Sequence, residues 1–155
     1  MAHDRFEWID RLKFVEREHR VVATAIAQLR RAILDGWIRT PVGTAPRDLD
    51  AAGESLETTY LVRLWAEFET ALLSYYRFLK SDPEGRIRAI DLVNYLGGVR
   101  HGRAIAESVL DAVHEVREYR NSLVHERIDP AAPVGLVEAR RRLNAFPGKL
   151  PERWG

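Results

Sequence analysis

Hydrophobic residues recur at every third or fourth position along most of this chain, the spacing that places them on one face of an α-helix. The pattern predicts helices over about residues 3–35, 56–80, 86–96 and 134–145. It also predicts a long helix that begins near residue 102 and is ended by Pro130 and Pro133. No segment alternates hydrophobic and polar residues with the period of two that is typical of a strand. The sequence therefore predicts an all-α fold, a helical bundle of three long helices plus one or two shorter helices, in a single domain of residues 1–155.

The first predicted helix has the clearest periodicity. Its hydrophobic stripe consists of Leu12, Val15, His19, Val22, Ile26, Leu29 and Ile33. Gly36 is expected to end this helix, and His19 is interpreted as a core residue because it lies within the stripe. Residues 37–55 contain two prolines and two glycines and show no period. We therefore predict a long connection there, before the second helix.

Composition narrows the possible chemistry. The chain has no cysteine, which excludes disulfides, thiolate nucleophiles and cysteine zinc sites. The net charge is only +1, from 24 basic and 23 acidic residues, so a broad nucleic-acid-binding surface is not expected. No hydrophobic run is long enough to span a bilayer, and the charged N-terminal residues do not fit a secretory signal. The sequence therefore predicts a cytoplasmic protein with no membrane contact.

Metal and cofactor motifs are not found. The five histidines show none of the paired spacings, such as HxxxH, that bind a metal ion. The glycine pair Gly97–Gly98 lies between predicted helices and follows no strand, so it does not match a phosphate-binding or dinucleotide-binding loop. We expect neither a metal site nor a cofactor.

One stretch near the end of the last long helix carries a recognisable pattern. It reads Arg120-Asn121-Ser122-Leu123-Val124-His125. This segment resembles the R(x4–6)H motif of HEPN domains, in which a polar residue, often asparagine, follows the arginine. Because the chain is rich in arginine, the spacing alone is common, and the resemblance depends on Asn121 and on the helical setting. It implies a HEPN-like helical bundle, and the catalytically active members of that family are metal-independent endoribonucleases that usually work as homodimers.

These residue types suit the cleavage of RNA, which carries its own nucleophile, the 2′-OH, beside the scissile phosphate. His125 would exchange protons near neutral pH as general acid and base. Arg120 would stabilise the negative charge of the phosphorane. Asn121 would orient the histidine or donate a hydrogen bond to phosphate. The structural alternative is a helix C-terminal turn in which the arginine and the histidine only complement the helix dipole.

The spacing raises a geometric question, because residues five apart on an unbroken helix differ in direction by about 140°. Two arrangements would bring Arg120 and His125 together. The helix would break or bend near Asn121-Ser122, or a two-fold dimer would place two copies of the motif in one cleft. By analogy with the family, we expect the homodimer across the Arg120/His125 face.

Several other residues are candidates for supporting roles. In several HEPN groups an acidic residue on an earlier helix faces the motif, and Glu69 lies nearer the hydrophobic face of its helix than Glu67 does. We therefore expect Glu69 to support the site, with Arg120 as its partner. The weaker candidates for contact with the RNA backbone are Arg117, Arg100, Arg103, Arg140 and Arg141.

Three functions remain open at this point. The first is a metal-independent HEPN endoribonuclease that acts as a toxin or an antiphage-defence effector, with RNA as substrate and an antitoxin protein as a possible partner. The second is a catalytically inactive HEPN-like module that binds RNA, a nucleotide or a protein. The third is an unrelated helical interaction module that matches the motif by accident.

Overall fold

The computed structural model describes residues 3–98, 105–125 and 131–154. Within these residues it contains five α-helices and one antiparallel pair of two-residue strands. This arrangement confirms the predicted all-α fold. The helices are α1 (Arg5–Leu34), α2 (Pro46–Lys80), α3 (Ala89–Gly98), α4 (Glu107–Val124) and α5 (Leu136–Ala145). Strand β1 (His3–Asp4) pairs with β2 (Arg153–Trp154), and a short 3₁₀ helix (Pro147–Lys149) precedes β2.

Helix α1 begins and ends close to its predicted limits. The carboxylate of Asp4 accepts hydrogen bonds from the backbone N–H groups of Phe6 and Glu7, at 2.7 and 3.0 Å, and so caps the helix. At the other end, Gly36 has a φ of 76°, a left-handed conformation that glycine adopts without steric cost. The predicted stop at Gly36 is confirmed.

The long connection predicted for residues 37–55 is wrong, because α2 begins at Pro46. Proline suits the first position of a helix, where its missing N–H would have no partner. The Asp48 carboxylate accepts a hydrogen bond from the Ala45 N–H at 2.7 Å and holds this end of the helix. Gly53 faces α1, where a Cβ would lie 3.7 Å from Ile26. Pro46, one of the four residues that suggested a loop, therefore starts the helix, and Gly53 lies within it at ordinary contact distance from α1.

The other predicted boundaries differ by a few residues. Helix α3 begins at Ala89 rather than Arg86, and it continues through Gly97–Gly98 instead of ending at Leu96. Helix α4 begins at Glu107, because Ala106 has extended backbone. Helix α5 begins at Leu136, two residues later than predicted. The strand pair was not predicted, since two residues are too few to show a period of two.

The hydrophobic core lies at one end of the antiparallel α1–α2 pair. The buried residues of α1 all lie between Trp8 and Glu16, and those of α2 all lie between Tyr60 and Tyr75. Helices α3, α4 and α5 cover this part of the pair, and Trp154 of β2 closes it with its ring 5.0 Å from that of Tyr75.

The other end of the α1–α2 pair extends beyond the core as a two-helix projection, which we call the arm (residues 23–57). The arm contains no buried residue. The burial of the predicted hydrophobic stripe therefore decreases along α1. Leu12 and Val15 are buried, whereas the later members are only half-buried: His19, Val22, Ile26, Leu29 and Ile33. Periodicity correctly identified the face that meets α2 but did not show where the bundle ends.

Candidate functional site

The Arg120–His125 segment lies at the C-terminal end of α4, and the helix stops just before the histidine. His125 is the C-cap residue, with extended backbone (φ −119°, ψ 128°), and its N–H donates to the Asn121 carbonyl at 3.0 Å. The exposed His125 side chain therefore leaves the helix, and the angular separation of an unbroken helix does not apply to it. The helix is therefore not broken near Asn121-Ser122, as the first of the two arrangements expected, but continues to Val124.

Arg120 points toward the inside of the bundle. Its position on the helix falls between those of Val113 and Val116, which are both fully buried. The Arg120 side chain is half-buried, its Nη1 donates to the Asn121 Oδ1 at 3.1 Å, and its Nε is buried without a hydrogen-bond partner. No carboxylate among the described residues forms an ion pair with it. Among the described residues, Arg120 is therefore a half-buried cation with no carboxylate partner and with an unpaired Nε–H donor.

Arg117, one turn before Arg120 on α4, differs from Arg120 because it has a carboxylate partner. Its side chain is 16% exposed and pairs with the Glu118 carboxylate, while its Nε is buried without a hydrogen-bond partner. The Arg117 charge is therefore partly neutralised by the adjacent residue, which distinguishes it from Arg120 as a binder of phosphate.

His114 and Asn94 form a polar contact between α4 and α3 that sequence reasoning did not select. The His114 Nε2 lies 2.9 Å from the Asn94 Oδ1. Burial lowers the pKa of His114, and the nearby charge of Arg117 lowers it further. Both effects favour the neutral form of the ring, and a proton on Nε2 would be donated to the amide oxygen. Nothing in the spacing of His114 and Asn94 indicates this contact, because the two residues lie on different helices.

Glu69 does not pair with Arg120. Its carboxylate accepts a hydrogen bond from the Trp65 Nε1 at 3.0 Å, one turn earlier on the same helix. Glu67 forms an ion pair with Arg11 of α1 at 3.0 Å. The predicted Glu69–Arg120 pair is therefore not formed, because a partner on α2 itself occupies the carboxylate. A supporting role for Glu69 toward RNA stays a prediction.

The arginine run of α5 is engaged within the protein. Arg140 Nε donates to the carboxylate of Glu16 at 2.5 Å and so links α5 to α1. Arg141 and Arg142 both donate to Glu138, and these hydrogen bonds lower the pKa of Glu138 to about 2. Contact of Arg140 or Arg141 with RNA would compete with these ion pairs. Arg100 and Arg103 lie outside the described residues.

The C-terminal end of α4 is held against the base of the arm. Tyr119 and Leu123 line a small cavity of about 200 Å³ together with Glu54, Glu57 and other residues around the start of α5. Glu57 also accepts a hydrogen bond from the Leu136 N–H at 2.8 Å, which caps α5 from a distant part of the chain. The candidate site therefore lies where the bundle core meets the arm.

Two further properties bear on the predictions. Within residues 3–98, 105–125 and 131–154, no three histidine, aspartate or glutamate side chains come together as metal ligands would. None of the helices in that part of the chain is both long enough and apolar enough to cross a membrane.

Comparisons with known proteins add no assignment. No protein-family model, curated protein sequence or solved structure matches this chain.

Proposed function

We propose that this chain is a metal-independent endoribonuclease of the HEPN type, with Arg120 and His125 as its catalytic residues. The observation that carries the proposal is the state of Arg120. A half-buried guanidinium that has no carboxylate partner among the described residues, and whose Nε is buried without a partner, is costly unless an anion binds there. A phosphate group supplies the matching charge and several acceptors.

The proposed reaction is transesterification. The 2′-oxygen of the substrate attacks the neighbouring phosphorus, the bond from phosphorus to the 5′-oxygen breaks, and a 2′,3′-cyclic phosphate and a 5′-hydroxyl end result. One proton leaves the 2′-OH and one proton is delivered to the 5′-oxygen. His125 serves as a proton carrier because its side chain is exposed at the end of α4.

Arg120 acts on the phosphate in this scheme. Its guanidinium faces the charge that grows on the nonbridging oxygens as the phosphorane forms, and stabilises it. Asn121 accepts a hydrogen bond from Arg120 Nη1, which limits the directions the guanidinium can take. Asn121 is thus a positioning residue for Arg120.

The wider setting rests on the family resemblance alone. It includes action as a toxin or defence effector in the cytoplasm, an antitoxin protein as partner, and a homodimer across the Arg120/His125 face. A single chain carries both residues at the C-terminal end of α4, with Arg120 half-buried and His125 exposed.

The test is RNA cleavage by the purified protein in the presence of EDTA. We expect the wild type to cut RNA and both Arg120→Ala and His125→Ala to lose activity, by about 10²- to 10⁴-fold for the histidine. Arg88→Ala is a matched control, because Arg88 is an exposed arginine on the approach to α3 that pairs with Asp91.

Three results would contradict the proposal. They are cleavage that requires an added metal ion, cleavage that survives in both variants, and RNA binding by the wild type without any cleavage. The last result would instead support the inactive binding module.

A further inference from the structure

Two half-buried arginines, Arg117 and Arg120, lie one turn apart in the C-terminal part of α4. The Nε atom of each is buried without a hydrogen-bond partner, which costs free energy unless a ligand supplies an acceptor. Within the described residues, one carboxylate, that of Glu118, pairs with these two guanidinium groups. This part of α4 therefore carries more buried positive charge than its neighbours compensate.

The ion pair between Arg117 and Glu118 satisfies the arginine only in part. Successive residues of a helix point about 100° apart, so their side chains do not naturally face each other. The pair uses the Nη2 atom of Arg117 and leaves its Nε without a partner. Arg142 shows the contrast, because it pairs with two carboxylates, those of Glu115 and Glu138.

The charge of Arg117 also acts on the residue one turn before it. After burial, this charge is the largest cause of the lowered pKa of His114, and its effect exceeds the opposing effect of Glu118. Glu118 therefore does not cancel the positive charge of Arg117 in the protein without RNA. An anion that approached Arg117 would still be attracted to it.

We propose that Arg117 binds the phosphate next to the scissile phosphate, so that Arg117 and Arg120 hold two successive phosphates of one RNA strand. This inference rests on the proposed function, which places the scissile phosphate at Arg120. The Cβ atoms of residues three apart on a helix lie about 5–6 Å from each other, a spacing that suits neighbouring phosphates. The substrate is therefore a strand that continues past the cleavage site along α4, and a dinucleotide, with one internal phosphate, is too short to use both arginines.

Glu118 is the counter-ion of Arg117 until RNA binds. Its side chain is 38% exposed, compared with 16% for Arg117, so its carboxylate can turn toward water while the arginine stays in place. A phosphate oxygen then replaces the carboxylate and keeps a charge-assisted hydrogen bond to the guanidinium. Glu118 thus competes with RNA for Arg117, and removal of its charge strengthens RNA binding.

The first test is the salt dependence of binding to a 2′-O-methyl RNA oligonucleotide, which lacks the 2′-OH nucleophile, measured by fluorescence anisotropy. Each phosphate contact on a single strand contributes about 0.7 to the slope of log K against log salt concentration. We expect Arg117→Ala to reduce this slope by about 0.7. Arg31→Ala is the control and should leave the slope unchanged, because Arg31 is an exposed arginine on the arm that pairs with Asp35. No binding by the wild type, or an unchanged slope in Arg117→Ala, would overturn the proposal.

The second test leaves the mostly buried Arg117 in place. We expect Glu118→Gln to bind the same RNA more tightly, by up to about fivefold, the range that an exposed ion pair allows. Glu107→Gln is the matched control, because it removes the same charge from an exposed glutamate in the first turn of α4, and its effect should be smaller. Equal strengthening in the two variants would overturn the role of Glu118 as the counter-ion of Arg117.

The third test locates the contacts with neutral methylphosphonate groups, placed at one position after another in the same RNA. We expect the wild type to lose affinity at two successive positions and Arg117→Ala at only one of them. Identical profiles in the two proteins would overturn the proposal. If unmodified RNA is cut in EDTA but the profiles are identical, this inference alone fails. If two successive contacts are found without cleavage, the nuclease function fails and the two phosphate contacts stand.

Discussion

At the scale of single residues, what separates Arg120 from the other arginines near it is its partner. Arg140 reaches a buried carboxylate, and Arg141 and Arg142 share Glu138. Arg120 contacts only the neutral amide of Asn121. The sequence identified Arg120 and His125 as candidates because both belong to one linear motif. The sequence did not predict the hydrogen-bond partners of Glu69 and Arg140. Which of several nearby groups forms the hydrogen bond depends on side-chain positions in the folded protein.

The ion pair between Glu16 and Arg140 gives a first prediction. Glu16 is the one buried charged residue in the described part of the chain, and it accepts hydrogen bonds from Arg140 and Arg20. We expect Glu16→Gln to lower the free energy of unfolding by about 1–3 kcal/mol, because it removes the charge that compensates Arg140. Urea unfolding measures this. The control is Arg20→Ala, which should lower the free energy of unfolding by less than about 0.5 kcal/mol because the Arg20 side chain is 71% exposed. Equal losses of stability in the two variants would contradict a stabilising role for the buried Glu16–Arg140 pair.

A second prediction concerns pH. Burial and the charge of Arg117 lower the pKa of His114 in the folded protein. Its contribution to stability is therefore fully present above the unfolded pKa of about 6.5 and is lost as the pH falls through the lower folded value. We expect the wild type to lose more stability between pH 7.5 and pH 5 than His114→Gln does, as measured by urea unfolding at the two pH values. Parallel losses in the two proteins would exclude His114 as the source.

At the scale of elements, the sequence predicted the helices well and the connections less well. Hydrophobic periodicity located all five helices, because each has a face that packs on a neighbour. The sequence did not predict that α2 begins at Pro46, because proline and glycine interrupt helices in most contexts. Here Pro46 occupies the first helical position and Gly53 faces Ile26. Whether a proline starts a helix or interrupts a loop depends on what the following residues pack against, which a local pattern does not contain.

The contact between α3 and α4 supplies a third prediction. A Cβ on Gly97 would lie 2.5 Å from a methyl carbon of Leu110, whereas one on Gly98 would meet nothing within 4 Å. We expect Gly98→Ala to raise the free energy of unfolding by no more than about 0.5 kcal/mol, since alanine favours a helix over glycine but Gly98 is the last residue of α3. Gly97→Ala should be less stable than Gly98→Ala, because the Leu110 side chain must shift to make room for the added methyl group. Chemical denaturation of the two variants measures the difference, and equal stabilisation by both would show that the helices are not in close contact at Gly97.

At the scale of the whole molecule, the chain combines a compact core with a projecting arm. The candidate site lies at their junction, where α4 ends and Glu57 of the arm caps α5. Sequence periodicity predicts a long first helix and a second helix from about residue 56, whereas α2 begins at Pro46 and pairs with α1 along the arm as well. Periodicity does not reveal that the helices covering this pair are shorter, because this depends on tertiary packing. The arm that follows from this mismatch was therefore not predictable from the pattern alone.

The central proposal is that the chain cleaves RNA through the 2′-OH without a metal ion. Its most direct test is the reaction of the wild type, in EDTA, with an RNA oligonucleotide that it cuts and with the same oligonucleotide carrying a 2′-O-methyl group at the scissile nucleotide. We predict cleavage of the unmodified RNA to a 2′,3′-cyclic phosphate, no cleavage at the modified nucleotide, and loss of the reaction in Arg120→Ala. Cleavage of the 2′-O-methyl substrate at the same position, or products that carry a 5′-phosphate, would contradict the account.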